Sequence, residues 1–451
     1  MLCTLVLYAF TACGIREAEK LPTMEEMAVP IPGAEDITFT EAESDPGKNA
    51  GDDETLQAAE SMGAEDTALE DGTEQQATEN PQNISDEGSQ DGLQDDSSDP
   101  DSEAPSSIRF IMVGDILLHT PVEESAHLPD GSYDFSPIFA NEAEHIAAAD
   151  LALVNQEVVI GGEALGVSGY PAFNAPTQIG DALVDAGFDV ICQATNHALD
   201  KGKRGILNDL AYWEDAHPEI AVLGIQDTQE EQEKIRLYEQ NDITVAILNY
   251  TYGTNGISLP EDMPYAVNLL EETRVRSDLQ RAEELADFTV VVPHWGTEYR
   301  LSPDSMQEKW TRIFLEEGAD LVLGAHPHVI EPVEWVGTEE DPEQMLVYYS
   351  LGNFVNWTSG TGDGTANRMV GGMAEVTIGR DPDTGRVEIT DYGIRALVCH
   401  VRSGIGGVTV YDLADYTDAL AGKNEILKQD GHFSRDYCVD LCDNVWGDLW
   451  Y

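Results

Sequence analysis

Short apolar runs, each cut off by a small group of polar, metal-ligating residues, recur along this chain and limit what it can fold into. Residues 110–113 lead to Gly114-Asp115, 151–154 to Asn155-Gln156-Glu157, and 190–192 to Asn196-His197. Residues 290–292 lead to His294-Trp295-Gly296, and 321–323 to His326-Pro327-His328. Asp200-Lys201-Gly202 and Gly352-Asn353-Phe354 are placed similarly but are chemically quieter. Apolar runs this short, bounded by polar or turn residues, read as buried strands. Sites in α/β folds lie at the carboxyl ends of strands. An Asp, a Glu, an Asn and four His gathered there predict a metal centre, with two metals.

The polar groups divide by chemistry. Asp115 and Glu157 taken singly are ordinary turn or cap residues, and Asn196-His197 alone carries little. His294 closes a fully apolar run, and residues two apart on an extended segment project to one side, so His326 and His328 can meet one centre. Neutral imidazole and carboxylate suit zinc, manganese or iron, whereas magnesium and calcium prefer oxygen. Two metals about 4 Å apart can clamp both oxygens of a phosphoryl displacement. The set supplies Glu157 as bridge, Asp115 and His328 for one metal, and Asn196, His294 and His326 for the other. His197 would protonate the leaving oxygen. His119, four residues after Asp115, can fold back to the site. The remaining histidines, His127, His145, His217, His400 and His432, read as solvated or structural.

Charge narrows the partners. The chain of 451 residues has net charge −63, with 86 acidic and 23 basic residues. Such self-repulsion argues against nucleic acid and anionic lipid. An anionic substrate would be drawn only to bound cations, which invert the local field. About 27 of the acidic residues, against about 3 basic ones, fall in 14–106. That segment has too little apolar area to offset its ordering entropy and is expected to be a disordered, acidic tether. Residues 1–13 carry an apolar run of about ten residues, of signal-peptide rather than membrane-spanning length. Phe10-Thr11-Ala12-Cys13 resembles a lipobox, with Phe where Leu is usual and no Lys or Arg ahead of the run. Cys13 is therefore the expected lipidation site. Cys192 reads as a buried strand residue; Cys399, Cys438 and Cys442 form an odd set, and zinc on Cys438, Cys442 and His432 lacks a paired CxxC.

From residue 107 the pattern alternates. Strands are predicted over 108–113, 151–154, 190–193, 220–223, 244–248, 289–292, 321–323 and 346–349. Helices are predicted over 137–149, 177–186, 205–216, 270–285 and 304–317. Met306, Trp310, Ile313 and Phe314, at helical spacing, read as core. After Met373 come short β segments with Asp-Pro and Thr-Gly turns. Strands alternating with helices and then a β-rich end predict an α/β sandwich. The domain is expected to span 107–397, with an extension, 398–451, packing on it through its terminal Trp and Tyr residues.

The ordered motifs Val113-Gly-Asp115, Asn155-Gln-Glu157, Ala194-Thr-Asn-His-Ala-Leu-Asp-Lys-Gly202, Pro293-His-Trp-Gly-Thr-Glu-Tyr299, Gly324-Ala-His-Pro-His328 and Ser350-Leu-Gly-Asn-Phe354 resemble the CapA family of bacterial poly-γ-glutamate capsule-synthesis proteins. These are related to calcineurin-like metallophosphoesterases, and the resemblance covers about 108–395. It implies a four-layer α/β/β/α sandwich of the metallo-dependent phosphatase type. It also implies an extracytoplasmic, membrane-anchored protein acting with a membrane-bound polymer synthase or export protein; with the lipobox-like leader, the expected anchor is lipid on the outer face of the cell membrane. In the wider superfamily the first strand ends in Asp-x-His with both residues on metal; here Leu117 replaces the His. The expected role is in making or exporting poly-γ-glutamate or a related envelope polymer, with metal-dependent hydrolysis of a phosphoester, or less favourably an amide. The alternatives are a non-catalytic assembly factor and a secreted phosphatase or nucleotidase without a capsule role.

Overall fold

The structure is a computed structural model that describes residues 106–338, 344–357 and 359–451. The leader with Cys13 and the acidic segment through residue 105 lie outside the described residues. The strands are β1 Ser107–Ile116, β2 Leu151–Gln156, β3 Val190–Cys192, β4 Ala221–Leu223, β5 Arg236–Gln240, β6 Ile243–Thr251, β7 Phe288–His294, β8 Leu321–Leu323, β9 Val333–Val336, β10 Met345–Tyr348, β11 Asn353–Val355, β12 Val370–Arg380, β13 Val387–Val401 and β14 Val408–Asp412.

Two sheets result. The first is eight-stranded, ordered β14-β13-β12-β1-β2-β3-β4, with β11 pairing the end of β1. The second is six-stranded, ordered β5-β6-β7-β8-β10-β9. In the first, β1 to β4 are parallel while β12, β13 and β14 are antiparallel. In the second, β6, β7, β8 and β10 are parallel, and antiparallel β5 and β9 close the edges.

The parallel strands read as continuous apolar runs because both their faces are covered. Val290 and Val292 of β7, with Leu321 and Leu323 of β8, share one core with Phe110 and Met112 of β1. Phe110 and Phe288 stack across that interface with centroids 6.4 Å apart. The intervening Val291 and Val322 face the other way, onto Val275, Leu279, Trp310, Ile313 and Phe314 of the helices Glu272–Leu285 and Ser305–Glu316. The stripe expected to be core is core. On the far side of the first sheet, Ile179, Leu183 and Ala186 of the helix Gln178–Ala186 complete the four-layer sandwich.

The sequence pattern and the chain part company in several places. The helix expected over 137–149 is broken into Ser136–Phe139 and Ala143–Ala147. The boundary expected after residue 397 falls inside β13, whose pairing with β14 runs from Leu397↔Asp412 to Val401↔Val408. The extension therefore contributes a sheet edge. Its later helix, Arg435–Trp446, seats Trp446, whose indole N–H donates to Glu331 O at 3.0 Å. Among the described residues no helix is long and apolar enough to cross a membrane.

Candidate metal centre

Each expected ligand is set at a strand end by local backbone. A register shift in β1 between Val113 and Asp115 re-aims Asp115. The Gly at 114 is required, since a Cβ there would lie 1.9 Å from Gly352 O. Glu157 directly follows the fully buried β2, and its carbonyl accepts the Thr195 hydroxyl at 2.7 Å, tying it to the Asn196-His197 turn. That turn is tied to the second sheet by Asn249, which accepts from Ala194 N at 2.7 Å and donates to Val292 O at 2.8 Å. His294 ends β7. His326 and His328 converge for a reason other than strand alternation: both sit at positive φ, 102° and 59°. Non-glycine residues rarely adopt that region, and such strain is concentrated at functional sites.

The structure brings Asp115, Glu157, Asn196, His294, His326 and His328 together. Ligand atoms of Asp115, Glu157 and His328 lie within 4.8 Å of one another, as do those of Glu157, His294 and His326. The two sets share Glu157. Asn196 Oδ1 stands 3.0 Å from His294 Nε2. His328 Nδ1 is 3.1 Å from both Asp115 Oδ2 and Asn353 Oδ1, two acceptors that assign the proton to Nδ1. Its Nε2 is left 3.6 Å from Glu157 Oε1. Asp115 Oδ1 accepts from Asn155 Nδ2 at 2.8 Å.

The electrostatics fit a cation. Glu157 is wholly buried, and neither carboxylate oxygen has a hydrogen-bond partner. Burial first, then the charge of Asp115, pushes its carboxyl well above the usual range, against the opposing pull of His328. His326 Nδ1 is likewise buried without a partner. Burial, then the neighbouring imidazoles, holds His294 and His326 well below the ordinary value, hence neutral and able to ligate. Burial lowers His328 too, but Glu157 and Asp115 outweigh it and hold the ring at about 9. Orphaned carboxylate oxygens beside neutral imidazoles form a donor set for divalent metal ions.

His197 lies beside this set with its Nδ1 2.7 Å from Asp200 Oδ2, and Asp200 also accepts from Phe173 N at 2.7 Å. Phe173 meets His197 edge-on, 4.6 Å between centroids, and His119 on its other flank at 5.1 Å. His119 does fold back: burial first, then the charges of His328, His197 and Arg368, pushes it down to about 4. Asp200 belongs to one of the strand-end motifs that are chemically quieter in sequence; its spacing of three from His197 was the available signal. Asn353 stood in one of the quieter strand-end motifs without its partner being legible, and Asn249 gave no signal, because their partners are distant in sequence.

The other histidines and cysteines stand apart. His400 bonds Tyr416 at 2.8 Å and His217 pairs with Asp181 at 2.8 Å. His432 neighbours Asp430 and Asp363 rather than a cysteine, and the four described cysteines are free and buried.

Residues 109–358 match the family model described as bacterial capsule synthesis protein PGA_cap, more than half of the chain. The chain belongs to this family. It is similar to the PGA biosynthesis protein CapA of Bacillus subtilis (strain 168), 33% identical over 181 residues, 39% of this chain and 45% of that protein. It is 29% identical over 186 residues to the capsule biosynthesis protein CapA of Bacillus anthracis, covering 39% of this chain and 43% of that one. The chain thus matches under half the length of these curated relatives. Among solved structures, a 5'-nucleotidase precursor from Thermus thermophilus is similar at 14% identity and a TM-score of 0.40, over 65% of this chain and 54% of that one. The candidate ligands Asp115, Glu157, Asn196, His294, His326 and His328 all lie within the matched span.

Proposed function

We propose that this protein acts outside the cytoplasmic membrane, anchored by lipid on Cys13, in the synthesis or export of poly-γ-glutamate or a related envelope polymer, and that its dinuclear site hydrolyses a phosphoester. Family membership supports the capsule role. The observation that carries the chemistry is Glu157: a buried carboxylate with two orphaned oxygens, shared by two ligand sets, next to a His-Asp pair. Asp115 and His328 would hold one ion, and Asn196, His294 and His326 the other. Two ions there, of manganese, zinc or iron, supply charge stabilisation to a phosphoryl group. Asp200 fixes the tautomer and orientation of His197, leaving Nε2 to pass a proton to the leaving oxygen. Phe173, backed by His119, lies against that ring and limits water around it. The anionic substrate meets local positive charge despite the chain's net −63.

The test is elemental analysis of the full-length protein, wild type beside a His294→Ala, His326→Ala double variant, with a phosphodiester and γ-glutamyl substrate screen. About two metals per chain, lost in the double variant, with turnover lost in His197→Ala, are expected on the two-metal scheme. Absence of bound metal in the wild type sinks the catalytic reading. Membrane fractionation of Cys13→Ser checks the anchor, and its retention in the membrane fraction refutes lipidation.

Leu117 favours one rival. It is buried in the apolar core at 4% exposure and contributes no ligand, so the Asp115 set has three protein ligands. A non-catalytic assembly factor that contacts a membrane-bound synthase would retain metal yet turn over no substrate, and co-purification with that synthase is its test.

A further inference from the structure

The two ligand sets are unequal. Glu157, Asn196, His294 and His326 offer four side chains to one ion; Asp115, Glu157 and His328 offer three to the other. Zinc, manganese and iron sites are completed by four or more ligands. A third cluster lies on the same histidines: ligand atoms of Glu298, His326 and His328 are within 4.8 Å of one another. Glu298 is exposed while both histidines are buried, so it meets them from the solvent side. The orphaned, buried His326 Nδ1 is a second sign that the histidine shared by these clusters is built for a ligand. The charge of Glu298 bears on His328 and on Glu157, the two residues it would join.

Its backbone is held on both sides. Gly296 has φ 93° and lies against Gln307, whose Cδ would be 2.8 Å from a Cβ at that position. The Thr297 hydroxyl donates to Asp304 Oδ2 at 2.6 Å. Tyr299 N–H donates to Pro327 O at 2.7 Å, linking this loop to the residue between the two histidines. The Arg368 guanidinium lies 3.7 Å over the Tyr299 ring. Glu298 therefore sits between fixed neighbours on a loop that is exposed but pinned.

We infer that Glu298 is a further metal ligand, completing from the solvent side the position served by Asp115, Glu157 and His328. Two divalent ions against Asp115 and Glu157 leave an excess of two positive charges in a buried site. A third carboxylate halves that excess and leaves one charge for an anionic substrate. As the one exposed member of the set, Glu298 is also the ligand that an incoming substrate oxygen can displace.

The inference rests on the metal-centre reading, and one experiment separates the two. Metal-stripped full-length protein is titrated with Mn²⁺ by calorimetry, and the loaded protein is examined by electron paramagnetic resonance. Wild type should bind two ions and give the multiline signal of a coupled pair. Glu298→Gln should keep the tighter site, weaken the other by on the order of tenfold or more, and give the six-line signal of isolated Mn²⁺ at limiting metal. Its melting temperature in chelator should match wild type, because an exposed side chain is changed. Two sites of unchanged affinity in Glu298→Gln would overturn the inference and leave the metal centre standing. No coupled pair in the wild type would overturn both.

Discussion

Replacing Glu157 by Met should make the metal-free protein more stable while removing its response to metal. Glu157 has no exposed surface and both carboxylate oxygens are orphaned. Each unsatisfied buried acceptor costs about 1–3 kcal/mol, so removing both is worth about 2–6 kcal/mol. The lost attraction to His328 Nε2, 3.6 Å away, moves the gain toward the low end. For a domain of roughly 350 residues the unfolding entropy is about 0.7 kcal/mol/K, so the melting temperature in chelator should rise by roughly 3–8 °C. Wild type should instead gain about 2.7 kcal/mol, or roughly 4 °C, per site at a hundredfold excess of metal over its Kd. Differential scanning calorimetry of both proteins with EDTA or Mn²⁺ at one pH reads all four values. If Glu157→Met melts below wild type in EDTA, or keeps the full metal-induced rise, the carboxylate is not held in a costly state for a cation, and the reasoning fails.

Three further outcomes follow from the geometry. Asp200→Asn removes a charged acceptor 2.7 Å from His197 Nδ1; at about 1.5–3 kcal/mol for such a bond, turnover should drop on the order of ten- to a hundredfold, with metal content unchanged by elemental analysis. His328 binds its proton more tightly folded, at about 9, than unfolded at 6.5. Its contribution to the metal-free fold is thus complete below pH 6.5 and disappears as pH rises through 9, at most about 3 kcal/mol. Glu157, also raised, acts in the same direction from lower pH, whereas the depressed His294 and His326 favour folding only as pH climbs toward 6.5. Urea melts in chelator should show stability falling from pH 6.5 to 9.5; a rise would contradict the assignment. Trp446→Ala empties a buried site against Gly372 and should cost about 3–5 kcal/mol by urea denaturation, whereas a loss under about 1 kcal/mol would mean that the C-terminal helix is not integral.

Most of the centre was legible because parallel strands impose it. A strand buried on both faces must be apolar throughout, and its first polar residue comes where the sheet ends, so Asp115, Glu157 and His294 could be read off apolar runs. The edges were hidden for the converse reason. Strand β5, Arg236–Gln240, is half exposed and polar, and it pairs only with β6, so no apolar run announces it. The continuation of the first sheet through β13 and β14 was legible only as short β segments after Met373, and the boundary expected after residue 397 cut through β13.

Sequence alone determined the kinds of donor, their order and the strand ends that carry them, because burial on both faces forces the central parallel strands to be apolar up to their polar termini. The tertiary structure alone decided which donors meet. The sharing of Glu157 between two sets depends on segments brought together only when the two sheets pack, and the left-handed backbone at His326 and His328 and the approach of Glu298 depend on the loops that follow β8 and β7, whose course no strand pattern announces.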